Sequence, residues 1–303
     1  MTRPLAGVRA LLVDLEGTVY QSERLIPGAA EALREAEDRG VPHRFVTNTT
    51  SRPRAVIAGQ LADMGFPVDP ERIFTAPRAA RARLLREGVR RCHFLVNPAL
   101  IEDFAGLVSD EESPEAVVLG DMGEGLSYGR LNRALRHVLS GAELVTLARN
   151  RVWRGADGWM LDVGAIAAAL EYASGRAASL VGKPSPEFFA EALASIGAVP
   201  AEAAVVGDDL ESDVGGGQAA GMKGVLVRTG KFRADGGARG LVRADARGVR
   251  IFGSFGHRHR AYQSRPGRAA SESRIASGRM AERAASSARN LPVRTSTPHM
   301  PAA

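Results

Sequence analysis

The stretch that decides the fold is LLVDLEGTVY, residues 11–20, in which an apolar run ends in two acidic residues. The run has the pattern of a buried strand, and Asp14 and Glu16 stand at its carboxyl end. A solvated turn needs only one such acid, because a single Asp accepts hydrogen bonds from turn amides and Gly17 supplies the bend. The second acid therefore indicates a chemical task at this strand end.

The composition is that of a globular protein with a large core. The chain has 303 residues, of which 45% are hydrophobic, and this length predicts two domains. No stretch approaches the roughly 18 consecutive apolar residues of a membrane span, so we predict a soluble, cytoplasmic protein without a membrane partner. Cys92 is the only cysteine and the six His show no zinc-ligand spacing. Any metal is therefore expected to be held by oxygen.

The net charge of +6 is concentrated at one end of the chain. Residues 236–303 carry 13 Arg, no Lys and three acids, which leaves the first 235 residues with a net charge of −4. The segment is rich in Gly, Ala, Ser, Pro and Arg, a composition that predicts a disordered tail. Loose Arg clusters can bind RNA or DNA, but we favour a passive tail, so nucleic acid is expected to bind only weakly and through this segment. An out-of-frame extension is a third interpretation.

Short apolar runs alternate with amphipathic segments through the first 235 residues. The strand-like runs include RALLVDL, HRFVTN, AVVLGD, AAVVGD and KGVLVRT, and the helix-like segments include PGAAEALREAEDRG, YGRLNRALRHVLSG and PEFFAEALASIG. This alternation predicts an α/β fold, with a Rossmann-like parallel sheet covered by helices on both faces. Such sheets bind ligands at the carboxyl ends of their strands.

Four predicted strand ends carry reactive side chains. They are Asp14 and Glu16, then Thr47 and Asn48, then Lys183, and finally Asp208 and Asp209 with Asp213 close behind. Carboxylates, a hydroxyl and an ammonium in one crevice suit a phosphoryl group, because Mg²⁺ bridges carboxylate and phosphate oxygens and Lys adds a point charge. Each residue alone also fits a turn acid, a helix cap or a solvated cation. Lys183 fits such a role less well, because only three of the 40 Lys and Arg residues are Lys.

In this order the stretches DLEGT, VTN, VGKP and GDDLESD resemble the four motifs of the haloacid dehalogenase (HAD) superfamily. The closer resemblance is to its subgroup with a large α/β cap between the second and third motifs. That subgroup includes the haloacid dehalogenase-like hydrolase domain phosphatases and phospholysine phosphohistidine inorganic pyrophosphate phosphatase. The resemblance covers residues 8–233. It implies a core of residues 1–73 and 177–235 and a cap of residues 74–176, with the tail, 236–303, outside both.

The resemblance also implies an enzyme, a Mg²⁺-dependent phosphatase that forms an aspartyl phosphate on Asp14. Its substrate would be a small phosphoric monoester, phosphoanhydride or phosphoamide. The cap would select the leaving group, and we expect a homodimer formed through the cap. The implied metal ligands are Asp14, the backbone carbonyl of Glu16 and Asp208; Thr47 and Lys183 would hold the phosphoryl oxygens, Asn48 would order its loop, and Asp209 and Asp213 would support the metal site.

Two departures from the family pattern matter. The wider superfamily usually has Asp where this chain has Glu16, and close relatives often have Ser. We interpret Glu16 as a general acid and base whose extra methylene slows the hydrolysis of poor leaving groups. The strand and helix expected after TGKFR are not recognisable, which predicts that the sheet ends at an exposed edge. In the cap, LARNRVWRGADGWMLDVG matches the family poorly where substrate contacts are expected.

Two other functions are compatible with parts of this pattern. The altered position 16 and the unusual tail favour a catalytically weakened phosphate-binding or interaction protein, whereas Asp14, Lys183 and Asp208 argue against it. A phospho-accepting receiver domain uses similar residue types. However, its acidic pair precedes the accepting Asp, and such domains lack a large insertion.

Overall fold

The structure, a computed structural model, describes residues 5, 7–155, 158–230 and 242–244, which all lie in one compact unit, Met1–Ala261. Within these residues no helix is long and apolar enough to cross a membrane. The strands are β1 (Ala10–Asp14), β2 (Tyr20–Gln21), β3 (Arg24–Leu25), β4 (His43–Thr47), β5 (Ile73–Thr75), β6 (Arg91–Leu95), β7 (Val108–Ser109), β8 (Ala116–Leu119), β9 (Glu143–Thr146), β10 (Val152–Gly155), β11 (Gly158–Leu161), β12 (Ser179–Leu180), β13 (Ala203–Gly207), β14 (Lys223–Val227) and β15 (Val242–Ala244).

The α-helices are α1 (Ala29–Asp38), α2 (Arg54–Asp63), α3 (Ala76–Arg86), α4 (Tyr128–Leu139), α5 (Val163–Ser174), α6 (Pro186–Ala194) and α7 (Gly216–Ala219). Single turns of 3₁₀-helix lie at Pro70–Arg72, Gly123–Gly125 and Pro200–Glu202, and a longer one at Pro98–Phe104. A π-helical turn, Leu210–Gly215, leads into α7.

The first sheet is parallel throughout and has the strand order β15-β14-β13-β1-β4-β5. Every residue of β1 and β13 is buried, as expected of central parallel strands that are covered on both faces. The neighbours of β1 are β13 and β4, so the carboxyl ends of these three strands meet at the centre of one edge. Asp14, Thr47 and Asp208 stand at those ends.

Helices cover both faces of this sheet because successive side chains of a strand point to opposite sides. On one face, Leu11 packs with residues of α1 and α2, among them Leu33 and Leu61. On the other face, Leu12 packs with Phe188 and its neighbours on α6. Each such side chain is fully buried, and its burial contributes about 1.5–3 kcal/mol.

The second sheet is also parallel and has the order β12-β9-β8-β6-β7. Helices α4 and α5 pack on one face through residues such as Val138 and Leu170, and α3 packs on the other through Leu84. The hairpin β10–β11 lies outside both sheets, and its Trp159 and Leu161 are exposed. This hairpin occupies the stretch that matches the family poorly.

The sheets divide the chain slightly differently from the predicted boundaries at 73/74 and 176/177. Phe74 and Thr75 still pair with β4 in the first sheet, and Ser179 and Leu180 pair with β9 in the second. The first boundary shifts because β5 belongs to the first sheet up to Thr75. The second shifts because β12 still belongs to the second sheet. The predicted α/β fold, a parallel-sheet core interrupted by an inserted α/β unit, is confirmed.

The strand that is not recognisable in the sequence after TGKFR is present in the structure. The backbone of Val242–Ala244 pairs in parallel with Val225–Val227, so β15 adds a further strand. These three residues belong to the segment, 236–303, that was predicted to be a disordered tail. The rest of that prediction lies outside the described residues. Sequence reasoning missed β15 because its apolar run is very short and stands among Arg and Gly residues.

Candidate active site

The centre of the site is a buried ion triad at the carboxyl edge of the first sheet. The ammonium of Lys183 donates to Oδ1 of Asp14 at 2.5 Å and to Oδ1 of Asp213 at 2.6 Å. The hydroxyl of Thr18 donates to the other oxygen of Asp14 at 3.3 Å. All four residues are buried, Lys183 with only 4% of its surface exposed. Burial of this kind strengthens charge interactions, because little water screens them.

Three buried carboxylates lie close together at this edge of the sheet. Asp14, Asp208 and Asp213 each present an oxygen within 4.8 Å of the others. Gly17, with φ of +89°, and Gly230, with φ of +54°, lie so close that a Cβ on either would collide with the carboxylate of Asp208. The two glycines therefore let backbone close around a carboxylate that any larger residue would displace.

The pKa values in the triad reflect its burial and the close approach of its charges. Burial alone would lower the pKa of Lys183, but the carboxylates of Asp14 and Asp213 outweigh it and raise that pKa. Burial and the neighbouring charge of Asp14 raise the pKa of Asp213 to about 6, although Lys183 opposes both effects. The ammonium and the two carboxylates are therefore strongly coupled.

These residues fit a bound Mg²⁺. The donor set consists of buried carboxylate oxygens, the ligand type that this small, hard cation prefers. A divalent cation would offset the negative charge of Asp14, which adds to burial in raising the pKa of Asp213. The expectation of a metal held by oxygen is therefore compatible with the site.

Two hydrogen bonds between a side-chain amide and the main chain connect the second and third predicted motifs. The side-chain amide of Asn48 donates to the carbonyl of Lys183 and accepts from its N–H, both at 2.8 Å. Gly182 makes this possible, since a Cβ there would lie 2.8 Å from Oδ1 of Asn48. Thr47 is buried at the end of β4 and accepts from the N–H of Thr49 at 3.1 Å, so its hydroxyl proton stays available to a ligand. The predicted ordering role of Asn48 has this physical basis.

Glu16 does not join the carboxylates. Its side chain is exposed, and it accepts hydrogen bonds from the N–H of Ser22 at 3.4 Å and from the hydroxyl of Tyr20. Burial and then the charge of Glu16 raise the pKa of Tyr20 to about 12. The structure therefore does not support Glu16 as a carboxyl that shares the pocket of Asp14, because the longer side chain reaches the β2–β3 hairpin instead.

Asp209 acts on the backbone of its own turn. Its carboxylate caps the π-helical turn by accepting from the N–H groups of Glu211 and Ser212, at 3.0 and 2.9 Å. Its own N–H donates to Oδ2 of Asp213 at 3.1 Å. Asp209 therefore positions Asp213 through the main chain, and its support of a metal site stays a prediction.

Comparison with known proteins decides the family. A model for haloacid dehalogenase-like hydrolases matches residues 11–107, and a second, described as HAD-hydrolase-like, matches residues 180–250. Haloacid dehalogenase-like hydrolase domain-containing protein 2 of Homo sapiens is 42% identical over 228 residues, 75% of this chain and 87% of that protein. The chain belongs to the haloacid dehalogenase-like hydrolase family.

Two further relatives of this hydrolase carry more specific names. Phospholysine phosphohistidine inorganic pyrophosphate phosphatase of Danio rerio is 42% identical over 249 residues, 80% of this chain and 91% of that protein. Among solved structures, the 4-nitrophenylphosphatase of Thermotoga maritima matches with a TM-score of 0.74 and 29% identity over 80% of this chain and 95% of that one. The chain thus spans nearly the whole length of both. It is an enzyme, a hydrolase of the haloacid dehalogenase superfamily.

Sequence reasoning missed several residues of this hydrolase site. Thr18, which donates to Asp14, belongs to the quoted DLEGT motif but was not assigned a role. The hydroxyl of Thr229 donates to the carbonyl of Gly17, and Gly230 follows it against Asp208. In the sequence, TGKFR marks only the point after which the expected strand and helix are not recognisable. A Thr-Gly pair that follows a buried strand after one intervening residue is the available clue.

Proposed function

We propose that this hydrolase is a Mg²⁺-dependent phosphatase in which Asp14 is the nucleophile. The observation that carries the proposal is the buried triad of Asp14, Lys183 and Asp213 beside Asp208. Three buried carboxylates whose oxygens lie within 4.8 Å of one another, two of them paired with the ammonium of Lys183, bring oxygen ligands and a positive charge to one place. Such an arrangement suits a cation and a phosphoryl group together.

The proposed reaction has two steps. An oxygen of Asp14 forms a bond to phosphorus while the bond from phosphorus to the leaving oxygen breaks. Water then forms a bond to the phosphorus of the resulting aspartyl phosphate while the bond from phosphorus to the Asp14 oxygen breaks, which releases inorganic phosphate and restores the carboxylate. The proton that the leaving oxygen gains and the proton that the water loses are exchanged with solvent. Lys183 and Thr47 are proposed to donate hydrogen bonds to the phosphoryl oxygens in both steps, which stabilises the charge of the transition states.

The cation would be held by Asp14 and Asp208, with the backbone carbonyl of Glu16 as the ligand implied by the family pattern. Asp213, with Asp209 behind it, would support this set. Bound Mg²⁺ supplies charge neutralisation for the carboxylates and the phosphoryl oxygens. The names of the relatives in Danio rerio and Thermotoga maritima support a phosphorylated substrate. We extend to this chain the class of small phosphoesters, phosphoanhydrides and phosphoamides.

The weaker alternative is a phosphate-binding protein without turnover. The observation that favours it is the outward position of the Glu16 carboxylate, which leaves the proton transfers to the leaving group without an assigned carboxyl. The intact triad favours turnover. A homodimer formed through the cap and selection of the leaving group by the cap stay predictions.

One assay separates enzyme from binding protein. The full chain is incubated with p-nitrophenyl phosphate and a panel of alkyl phosphates, pyrophosphate and a phosphoamide, first with Mg²⁺ and then with excess chelator. We expect hydrolysis that the chelator abolishes and that added Mg²⁺ restores. Binding of inorganic phosphate without turnover of any panel member would favour the alternative function.

A further inference from the structure

The loop that follows Thr47 lies against the second sheet. Residues 48–53 connect β4 to α2, and two of them contact elements of that sheet. The amide of Asn97, just before the 3₁₀ turn Pro98–Phe104, donates to the carbonyl of Ser51 at 3.1 Å. The N–H of Asp121, just after β8, donates to the hydroxyl of Thr50 at 3.3 Å. The loop therefore contacts both the carboxyl edge of the first sheet and the inserted unit.

A buried ion pair adds to this contact. Asp103, in the turn Pro98–Phe104, is 3% exposed, and its Oδ1 lies 3.0 Å from Nε of Arg54, the first residue of α2. Another nitrogen of Arg54 lies 2.6 Å from Glu71 in the first-sheet half of the chain. Arg54 thus connects a carboxylate of the inserted unit to a carboxylate of the core.

Asp103 is paired by charge with Arg54 across the boundary between the inserted unit and the core. Burial raises the pKa of Asp103, and the positive charge of Arg54 opposes that effect. A buried carboxylate is costly unless it is paired with a positive charge. Asp103 is therefore held to Arg54, and any movement of the inserted unit would pull on the start of α2.

The start of α2 needs an acceptor that its own sequence lacks. Pro53 stands at the N-cap position and provides no side-chain cap. The first N–H groups of a helix are without intrahelical partners, and negative charge there is stabilising. The carboxylate of Asp103 lies at this end of the helix, where its Oδ1 is 3.0 Å from Nε of Arg54. The inserted unit therefore places a negative charge at the N-terminus of a core helix.

We propose that Asp103 and Arg54 are positioning residues for phosphoryl transfer. Their pair fixes the start of α2, and with it the six-residue loop that carries Asn48 and follows Thr47. This inference rests on the proposed phosphatase function. A displacement of reacting groups by about 1 Å can cost roughly a hundredfold in rate, so a loosened loop is expected to slow catalysis even in a folded chain.

The test uses two variants and a matched control. Asp103→Asn removes the buried negative charge with little change of shape. Arg54→Gln removes the positive charge of the pair, and the Arg54 side chain is 24% exposed, so this variant disturbs the core less. The control is Glu191→Gln, because the ion pair of Arg86 with Glu191 also joins a helix of the inserted unit, α3, to a core helix, α6, without touching the loop. Thermal unfolding confirms that each variant is folded.

Kinetics and hydrogen exchange are then measured on the same samples. We expect kcat/KM for p-nitrophenyl phosphate to fall about tenfold or more in both pair variants and to stay within about twofold of the parent in Glu191→Gln. Amide hydrogens of residues 47–54 should exchange faster in the pair variants and not in the control. We expect the decrease in kcat/KM to lie in kcat. A pair with a merely structural role would lower the melting temperature and leave kcat unchanged.

Each other outcome has a clear meaning. Folded pair variants with the parent's kcat/KM would overturn the inference, whether or not exchange in the loop is faster. A parent that hydrolyses no phosphoester would instead overturn the proposed function and the positioning role with it. In that case faster exchange of residues 47–54 would still show that the pair orders the loop, so the two failures are distinguishable.

Discussion

At the scale of single residues, the structure and the sequence disagree about Glu16. Its carboxyl group suggests a role in proton transfer, but its side chain does not lie beside Asp14. Asp14 is fixed by Lys183 and Thr18, whereas the carboxylate of Glu16 is exposed and engaged by Ser22 and Tyr20. Carboxyl chemistry at position 16 alone predicts an acid and base. A group that is held away from the reacting atoms cannot transfer a proton to them.

We therefore expect Glu16→Ala to leave kcat/KM within about threefold of the parent on both p-nitrophenyl phosphate and an alkyl phosphate. Steady-state kinetics on the two substrates measure this directly. A selective loss on the alkyl phosphate, whose leaving group needs a proton, would show that the carboxylate swings into the site. Glu23→Ala, at an exposed neighbouring position, is the control.

The residues that could be predicted from the sequence are those that a strand places by itself. Asp14, Thr47 and Asp208 end adjacent parallel strands, so their meeting follows from the alternation of strands and helices. Asp103 and Arg54 could not be predicted, because a single charged residue in an amphipathic stretch has the pattern of a solvated surface residue. Their pairing depends on how the inserted unit packs, and no local periodicity reports that.

At the scale of elements, β6 and α4 of the second sheet enclose a histidine whose protonation opposes folding. His93 is buried, its ring centroid lies 5.0 Å from that of His137, and its Nδ1 lies 3.2 Å from Glu111. Burial lowers the pKa of His93; Glu111 opposes this, while His137 and Arg133 lower the pKa further. The folded chain therefore keeps His93 neutral at pH values where the unfolded chain protonates it.

The sign of the resulting pH dependence follows. Stability from neutral His93 is present above about pH 6.5 and is lost as the pH falls through the lowered folded pKa, by at most about 1.4 kcal/mol per pH unit. In His93→Gln, the free energy of unfolding should fall less steeply between pH 7 and pH 5 than in the parent. Denaturant titrations at several pH values measure both slopes. Equal slopes would show that His93 titrates alike in both states.

At the scale of the whole molecule, the stability of a truncated chain depends on whether it keeps β15. From the sequence alone, removal of everything after Asp235 is expected to leave stability unchanged. The pairing of Val242–Ala244 with β14 changes that expectation, because truncation at Asp235 deletes a strand of the central sheet. The strands and helices of the core could be predicted from periodicity, whereas this strand could not.

We expect a chain ending at Asp235 to unfold at least about 2 °C below one ending at Ala261, the end of the compact unit. Thermal unfolding of the two chains in the same buffer measures the difference. The longer chain is the control for removal of the remaining residues. Equal melting temperatures would mean that β15 contributes nothing to the stability of the sheet.

The most direct test of the account is turnover by Asp14→Asn. An amide is a poor nucleophile and cannot carry the charge that pairs with Lys183, so we expect kcat/KM on p-nitrophenyl phosphate with Mg²⁺ to fall by about a thousandfold or more. Asp63→Asn, on the exposed end of α2, should match the parent. Asp14→Asn that is folded and turns over within about tenfold of the parent would contradict the aspartyl-phosphate mechanism.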